Sequence, residues 1–155
     1  MTNMKHLILL CTLLISFNSF AAIQPDADAY ERGDYSPAFT LIEKLAEQGD
    51  AKAQYNLGLM YDKGDGTPQN YKAAIKWYTK SAEQGDADAQ YNLGYMYANG
   101  YGTPQDHVMA YMLWNIAAAN GHEDAKTNMD IVAKKMASEK ILEAQQLAKE
   151  WMEKY

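Results

Sequence analysis

From residue 46 to residue 117 the chain alternates apolar and polar positions in two overlaid rhythms, one helical and one 36 residues long. Ala53, Leu57, Met60 and Tyr61 recur at steps of three and four, the mark of a helix with one face turned to a core. Ala74, Tyr78, Ser81 and Ala82 form a second stripe of the same kind, matched one period later by Ala110, Trp114, Ala117 and Ala118. Between the stripes stand Gly64-Asp65-Gly66-Thr67-Pro68 and Gly100-Tyr101-Gly102-Thr103-Pro104. Glycine there admits positive φ and proline bars helical continuation, so each segment stops a helix. Asp50 and Asp86 follow glycines and carry the short carboxylate that suits an N-cap. Each period therefore predicts two helices: a first one from Asp50 or Asp86 to about Lys63 or Asn99, and a second from about Asn70 to Gln84 or from Asp106 to Asn120. Gly58 and Gly94 lie beside the first stripe, where the missing Cβ lets the paired helix come close.

Laid over each other, residues 46–81 and 82–117 are identical at 20 of 36 positions. Residues 46–58 and 82–94 differ only where Lys52 becomes Asp88. A period of this length marks a solenoid, in which a unit buries its apolar face against its neighbours. Weaker matches extend outward, from Tyr35 and Ala38 to Tyr71 and Ala74, and from Ala118, Gly121, Ala125 and Asn128 to Ala82, Gly85, Ala89 and Asn92. The expected domain comprises a half unit at 26–45, repeats at 46–81 and 82–117, and a degenerate unit with a C-terminal cap at 118–155. In the tail Ser138 is expected to cap a last helix. Ile141, Ala144, Ala148, Trp151 and Tyr155 would line one side of it, and Glu143, Lys149, Glu150 and Glu153 the other. Such a helix suits the closing of an open solenoid end.

The pattern Ala53-x-x-x-Leu57-Gly58-x-x-Tyr61, the Gly-x-Gly-x-Pro loop, Ala74-x-x-Trp77-Tyr78 and Ala82-Glu83-Gln84-Gly85 resembles the Sel1-like repeat family. The resemblance covers nearly all of residues 22–155. It implies an all-α, right-handed α/α superhelix of tetratricopeptide-like form. It also implies a non-enzymatic scaffold for protein or peptide contacts in bacterial export, envelope and signalling settings, without catalytic residues or cofactors. Some cysteine-rich relatives are associated with binding β-lactams or cell-wall pieces. The alternative function is therefore a module that binds or hydrolyses cell-wall fragments or β-lactams, although the cysteines of those relatives are missing.

The first residues follow a different pattern. Lys5, the apolar run from Leu7 to Phe17 and the small residues of Ser19-Phe20-Ala21 read as a secretory signal. Cleavage is expected after Ala21, which gives a signal peptide at 1–21 and an exported chain at 22–155, periplasmic first and secreted second. The apolar run is shorter than the roughly 20 residues needed to span a bilayer, so no stable membrane insertion is expected. Cys11, the one cysteine, lies inside it. The exported part then has no thiol for a disulfide, a thiolate metal site or a nucleophile. A formal net charge of −6 without a basic cluster argues against nucleic acid and anionic lipid as partners.

Candidate chemistry is sparse. His107 and His122 have no acid or nucleophile motif around them and are expected at solvent-facing turns. Asp62-Lys63-Gly64-Asp65-Gly66 has the look of part of a calcium loop, yet the second copy, Ala98-Asn99-Gly100-Tyr101-Gly102, holds no acid. The acids of the first copy are thus expected to be solvated, and no metal site is assigned. Asn56, Asn92 and Asn128 recur in register and are expected to bond the backbone of the next unit. At 100° per residue, Tyr55, Leu59 and Asp62 point away from the core stripe. Their equivalents are Tyr91, Tyr95 and Ala98, then Thr127, Ile131 and Lys134. In tetratricopeptide-like superhelices this face lines the concave groove. A groove of Tyr55, Leu59, Asp62, Asp88, Tyr91, Tyr95, Asn99 and Ile131 is expected to take a protein or peptide, with a second copy of the chain as another candidate occupant. Leu59 and Tyr95 rank ahead of Tyr55 and Tyr91, which adjacent first helices can bury as spacers. Lys52 and Asp88 fall on the groove edge, where they are expected to make the two units differ in local charge.

Overall fold

The same letter starts the first helix of both repeats. Asp50 accepts a hydrogen bond from the Ala53 N–H at 2.7 Å, and Asp86 accepts one from Ala89 at 2.9 Å. Both helices end at a glycine in the left-handed region, Gly64 at φ 81° and Gly100 at φ 73°. The computed structural model describes residues 35–155; the signal segment at 1–21 and the start of the half unit lie outside the described residues. Within them the chain forms α1 (Ser36–Glu47), α2 (Ala51–Lys63), α3 (Tyr71–Ala82), α4 (Ala87–Asn99), α5 (His107–Ala119), α6 (Ala125–Ala133) and α7 (Ser138–Lys154). Each helix from α1 to α5 packs on the next, and α7 packs on α5. The result is a right-handed α/α superhelix whose two full units are the pairs α2–α3 and α4–α5.

The second helices are slightly shorter than the periodicity predicts, because Asn70 and Asp106 stand outside them as caps. Asn70 accepts from Ala73 N–H at 3.1 Å, and Asp106 accepts from Val108 and Met109 at 2.9 and 3.0 Å. Ser138 does not cap α7: Ala137 takes the N-cap position, and Ser138 is already helical. Leu57, Tyr78, Met96 and Leu113 are fully buried in the core between the two helical layers. Gly58 and Gly94 meet the rings of Tyr78 and Trp114 with no room for a Cβ. The junctions between units share a polar lock. Buried Gln54 donates to the Ala46 carbonyl at 3.1 Å and accepts from Gln84 Nε2 at 2.8 Å. One period later, Gln90 donates to the Ala82 carbonyl at 3.0 Å and accepts from Asn120 Nδ2 at 2.9 Å. Each buried amide thus has partners for both its donor and its acceptor, which offsets its desolvation.

Comparing α3 with α5 explains where the last helix goes. Lys72, Lys76 and Lys80 of α3 become Val108, Met112 and Ile116 of α5. Lys76 and Lys80 reach over the Trp77 ring, at 5.4 and 4.6 Å from its centroid. Met112 and Ile116 are buried, which makes α5 apolar all round and requires cover on its outer side. Helix α7 supplies that cover. Its Ala144 and Ala148 are fully buried, Gln145 Nε2 donates to the Tyr111 hydroxyl at 3.3 Å, and Tyr155 donates to Glu83 at 2.9 Å. The cap therefore crosses the flank of α5 toward the end of α3.

Candidate functional site

The tyrosines of the first helices divide by helical turn. Tyr55 and Tyr91 are half-buried in the seams between units. Lys52 Nζ lies 4.5 Å from the Tyr55 ring, which tilts against Tyr78 at 6.0 Å. Tyr91 leans on Trp114 at 6.5 Å and stacks on His122, the two rings 4.0 Å apart and 10° from parallel. The recurring asparagines reach back to these side chains. Asn128 Nδ2 donates to the Tyr91 hydroxyl at 2.9 Å, and Asn92 sits within reach of the Tyr55 and Tyr78 hydroxyls. They hold neighbouring units together, but through tyrosine hydroxyls of the preceding unit and not through backbone. Burial, with the Asp88 carboxylate nearby, pushes the Tyr55 hydroxyl above its ordinary range.

The single letter that distinguishes residues 46–58 from 82–94 has a direct role. Lys52 Nζ lies 3.2 Å from Asp88 Oδ2 and 3.8 Å from Asp86. The substitution that was expected to make the units differ in charge instead pairs them. Both side chains are more than half exposed, so the pair is worth at most about 1 kcal/mol. Asp88 also faces His122, Oδ1 to Nε2 3.8 Å.

Two further expectations are corrected. His122 is not a solvent-facing turn residue: its side chain is 15% exposed, it stacks on Tyr91, and its Nδ1 is buried without a hydrogen-bond partner. His107 Nδ1 is buried and unpartnered in the same way. Asp62 is not solvated decoration, because the Tyr78 hydroxyl donates to its Oδ2 at 3.5 Å. Burial pushes the Asp62 carboxyl above its usual range. In the second unit both members of this pair change together. Ala98 replaces Asp62 and Trp114 replaces Tyr78; the indole Nε1 donates to the Tyr91 carbonyl at 3.1 Å and needs no carboxylate.

Where the carboxylate is gone, a cavity of about 150 Å³ opens between α4 and α6, with Tyr95, Ala98, Asn99, Trp114 and Ile131 in its wall together with His107 and Lys135. Tyr95 is 47% exposed and Ile131 50%. Tyr101 approaches Tyr95 at 6.0 Å and stacks on Tyr71 at 5.2 Å, which extends an aromatic surface beside the opening. Asn99 Nδ2 donates to the Tyr95 carbonyl at 2.8 Å. Leu59 opens elsewhere, into a cleft of about 290 Å³ with Tyr35, Ala38, Ile42 and Asn56. Of the eight groove residues expected from sequence, Tyr95, Asn99 and Ile131 come together, and Leu59 lines the preceding cleft. Tyr55, Tyr91 and Asp88 serve packing and pairing between units, and Asp62 pairs with Tyr78 inside its own unit. Sequence reasoning placed Ala98 on this face without assigning it to the groove and missed His107 and Lys135, although the joint change from Asp62 and Tyr78 to Ala98 and Trp114 was visible as a signal. Among the described residues no three His, Cys, Asp or Glu side chains are grouped to hold a metal ion, and no helix is long and apolar enough to cross a membrane.

Comparison with known proteins supplies the context. The family described as Sel1 repeat matches residues 51–86 and 87–122, with the 36-residue period found above. A mouse protein, DAP3-binding cell death enhancer 1, is 49% identical over 43 residues, which are 28% of this chain and 8% of that protein. A putative sel1-like repeat-containing protein, L18, of Acanthamoeba polyphaga mimivirus is 50% identical over 36 residues, 23% of this chain and 6% of that one. The chain thus spans less than a tenth of these curated relatives. Among solved structures, a protective antigen of uropathogenic Escherichia coli strains displaying an SLR fold superposes with a TM-score of 0.79 at 29% identity, over 88% of this chain and 30% of that one. A Sel1 repeat protein from Oxalobacter formigenes gives a TM-score of 0.64 at 32% identity, over 81% of this chain and 54% of that one.

Proposed function

The chain is a Sel1-like repeat protein, and on that premise we propose that it is an exported, non-enzymatic scaffold whose concave face holds a segment of a partner protein. Sel1 repeat proteins generally mediate protein–protein interactions. The observation that carries the finer reading is the exposure of Tyr95 and Ile131 over a cavity floored by Trp114. The tyrosines one turn earlier in the first helices of the two full units, Tyr55 and Tyr91, are taken up in the seams. An aromatic ring with a hydroxyl tip beside an apolar opening suits a peptide side chain with its backbone alongside.

Tyr95 is expected to contribute to binding and little to folding. In Tyr95→Ala the urea midpoint should move by about 1 kcal/mol of stability or less. Affinity for a partner captured from envelope extract by the wild-type chain should fall by about 2 kcal/mol or more. A variant that melts early, or one that holds the partner as tightly as wild type, would remove Tyr95 from the site.

Export rests on the order of Lys5, the Leu7–Phe17 run and Ser19-Phe20-Ala21. Mass spectrometry of protein recovered from its native cell should find an amino terminus at or next to Ala22. An intact Met1 there contradicts export by this route.

A further inference from the structure

The internal repeat gives the cavity at Ala98 a control that the rest of the molecule lacks. In the first unit the equivalent place is filled: Asp62 occupies it and takes the Tyr78 hydroxyl. In the second unit Ala98 stands where the carboxylate was, and Trp114 replaces the phenol with an indole whose Nε1 turns to the Tyr91 carbonyl. The opening of about 150 Å³ is comparable to a cavity that holds a benzene ring, enough for one branched or aromatic side chain. Its apolar walls are Tyr95, Ala98, Trp114, Ile131 and Val132.

Its charge is one-sided. No Asp or Glu lines the cavity, whereas Lys135 does, in a chain of net charge −6. Lys135 has no ion-pair partner among the described residues, unlike nearby Lys140, which is held by Glu143. The buried Nδ1 of His107 in the same wall has no hydrogen-bond partner. Asp106, which lines the adjoining cleft with His107 and Lys135, accepts from the Val108 and Met109 N–H groups through Oδ1. A partner side chain that enters here meets apolar walls, with the exposed Lys135 ammonium beside them.

We propose that the cavity between α4 and α6 is the specificity pocket of the groove, and that it takes an apolar side chain flanked by an acidic residue of a partner peptide. Ala98 makes the room, Tyr95 and Ile131 grip the side chain, and Lys135 selects the acid. The proposal rests on the groove reading above and adds the chemistry of the segment that binds.

The test uses three blocked tripeptides, Asp-Leu-Asp, Asp-Gly-Asp and Lys-Leu-Lys, titrated into the folded chain while the Ala98 and Ile131 methyl resonances are followed. Asp-Leu-Asp should move both methyls saturably. Asp-Gly-Asp should bind about tenfold or more weakly, the worth of burying a leucine side chain. Lys-Leu-Lys should bind about fivefold more weakly, the worth of a unit-charge contact at high dielectric. Lys135→Glu, an exposed change that leaves the fold intact, should reverse the order of the two charged leucine peptides. Ala98→Asp, which restores the first unit's residue, should abolish the shift at Ile131. Equal binding of the two leucine peptides, shifts confined to other methyls, or no saturable shift overturns the proposal. The groove reading is judged separately, by partner capture with Tyr95→Ala. If capture depends on Tyr95 while the peptides fail, this proposal falls alone; if the peptides behave as stated while capture ignores Tyr95, the groove reading falls.

Discussion

Gly94→Leu is expected to leave the protein unfolded or loosely folded under conditions in which the wild-type chain is native. A Cβ built on Gly94 lies 2.8 Å from Trp114 Nε1 and 2.9 Å from Trp114 Cδ1, so even alanine is too close and a leucine side chain lies well inside the ring. The indole is held in place by its contacts although a cavity adjoins it. It is buried, its Nε1 is bonded to the Tyr91 carbonyl at 3.1 Å, and Tyr91 leans against it. Overpacking a dense core by methylenes costs about 1 to 3 kcal/mol where neighbours can shift. Here the backbones of α4 and α5 must separate, so the loss should be at the upper end or beyond it, from a total of about 5 to 15 kcal/mol. Gly94→Ala should fall between, since its clash is partly offset by about 1 kcal/mol of helix propensity. Urea unfolding followed by circular dichroism reads all three proteins. A Gly94→Leu chain within about 1 kcal/mol of wild type would mean that α4 and α5 part readily and that the indole is not fixed.

The repeat made the helix boundaries legible, because a cap and a stop are local chemistry. Asp50 and Asp86 carry their own acceptor, and Gly64 and Gly100 carry their own conformational freedom, so two copies of one letter string form the same helix twice. Relations across the seams were not legible. Periodicity places Tyr55 and Tyr95 on the same kind of face, but it does not say that adjacent first helices converge on one end of that face and part at the other. Hence Tyr91 stacks on His122 while Tyr95, one turn on, stands in the opening. Long-range pairing was equally hidden. Lys52 and Asp88 occupy the same place in their own repeats, and only the stacking of the repeats brings them to 3.2 Å. Gln54 and Gln90 recur in register but as polar letters gave no sign of burial, yet they are buried because the last turn of the preceding helix presents a carbonyl to each. The cavity belongs to the same class, since its wall is drawn from α4, α5 and α6 and its room depends on a residue that is small.

The double substitution Met112→Lys with Ile116→Lys is expected to release α7 while leaving the two repeats folded. It writes the first unit's letters into the second, since these positions are Lys76 and Lys80 in α3. There the ammonium groups lie over the Trp77 ring and reach water. In α5 the residue equivalent to Trp77 is Leu113, which offers no aromatic face, and the outer side is covered by a helix whose Ala144 and Ala148 are fully buried. Two unpaired ammonium groups under that cover cost several kcal/mol. The helix that hides them is held by modest terms: burial of Ile141 and Trp151, the Gln145 bond to Tyr111 and the Tyr155 bond to Glu83. Lifting α7 returns both charges to water at the cost of those contacts. Once free, a helix of 17 residues is marginal on its own in water and should melt. Trp151 fluorescence should shift to the red, helical signal should fall by the share of α7 alone, and protease should cut between 134 and 137 to leave a stable fragment. Unfolding of the whole chain in one step would instead make α7 part of the cooperative core. An undisturbed α7 would show that its contact with α5 does not depend on an apolar outer face.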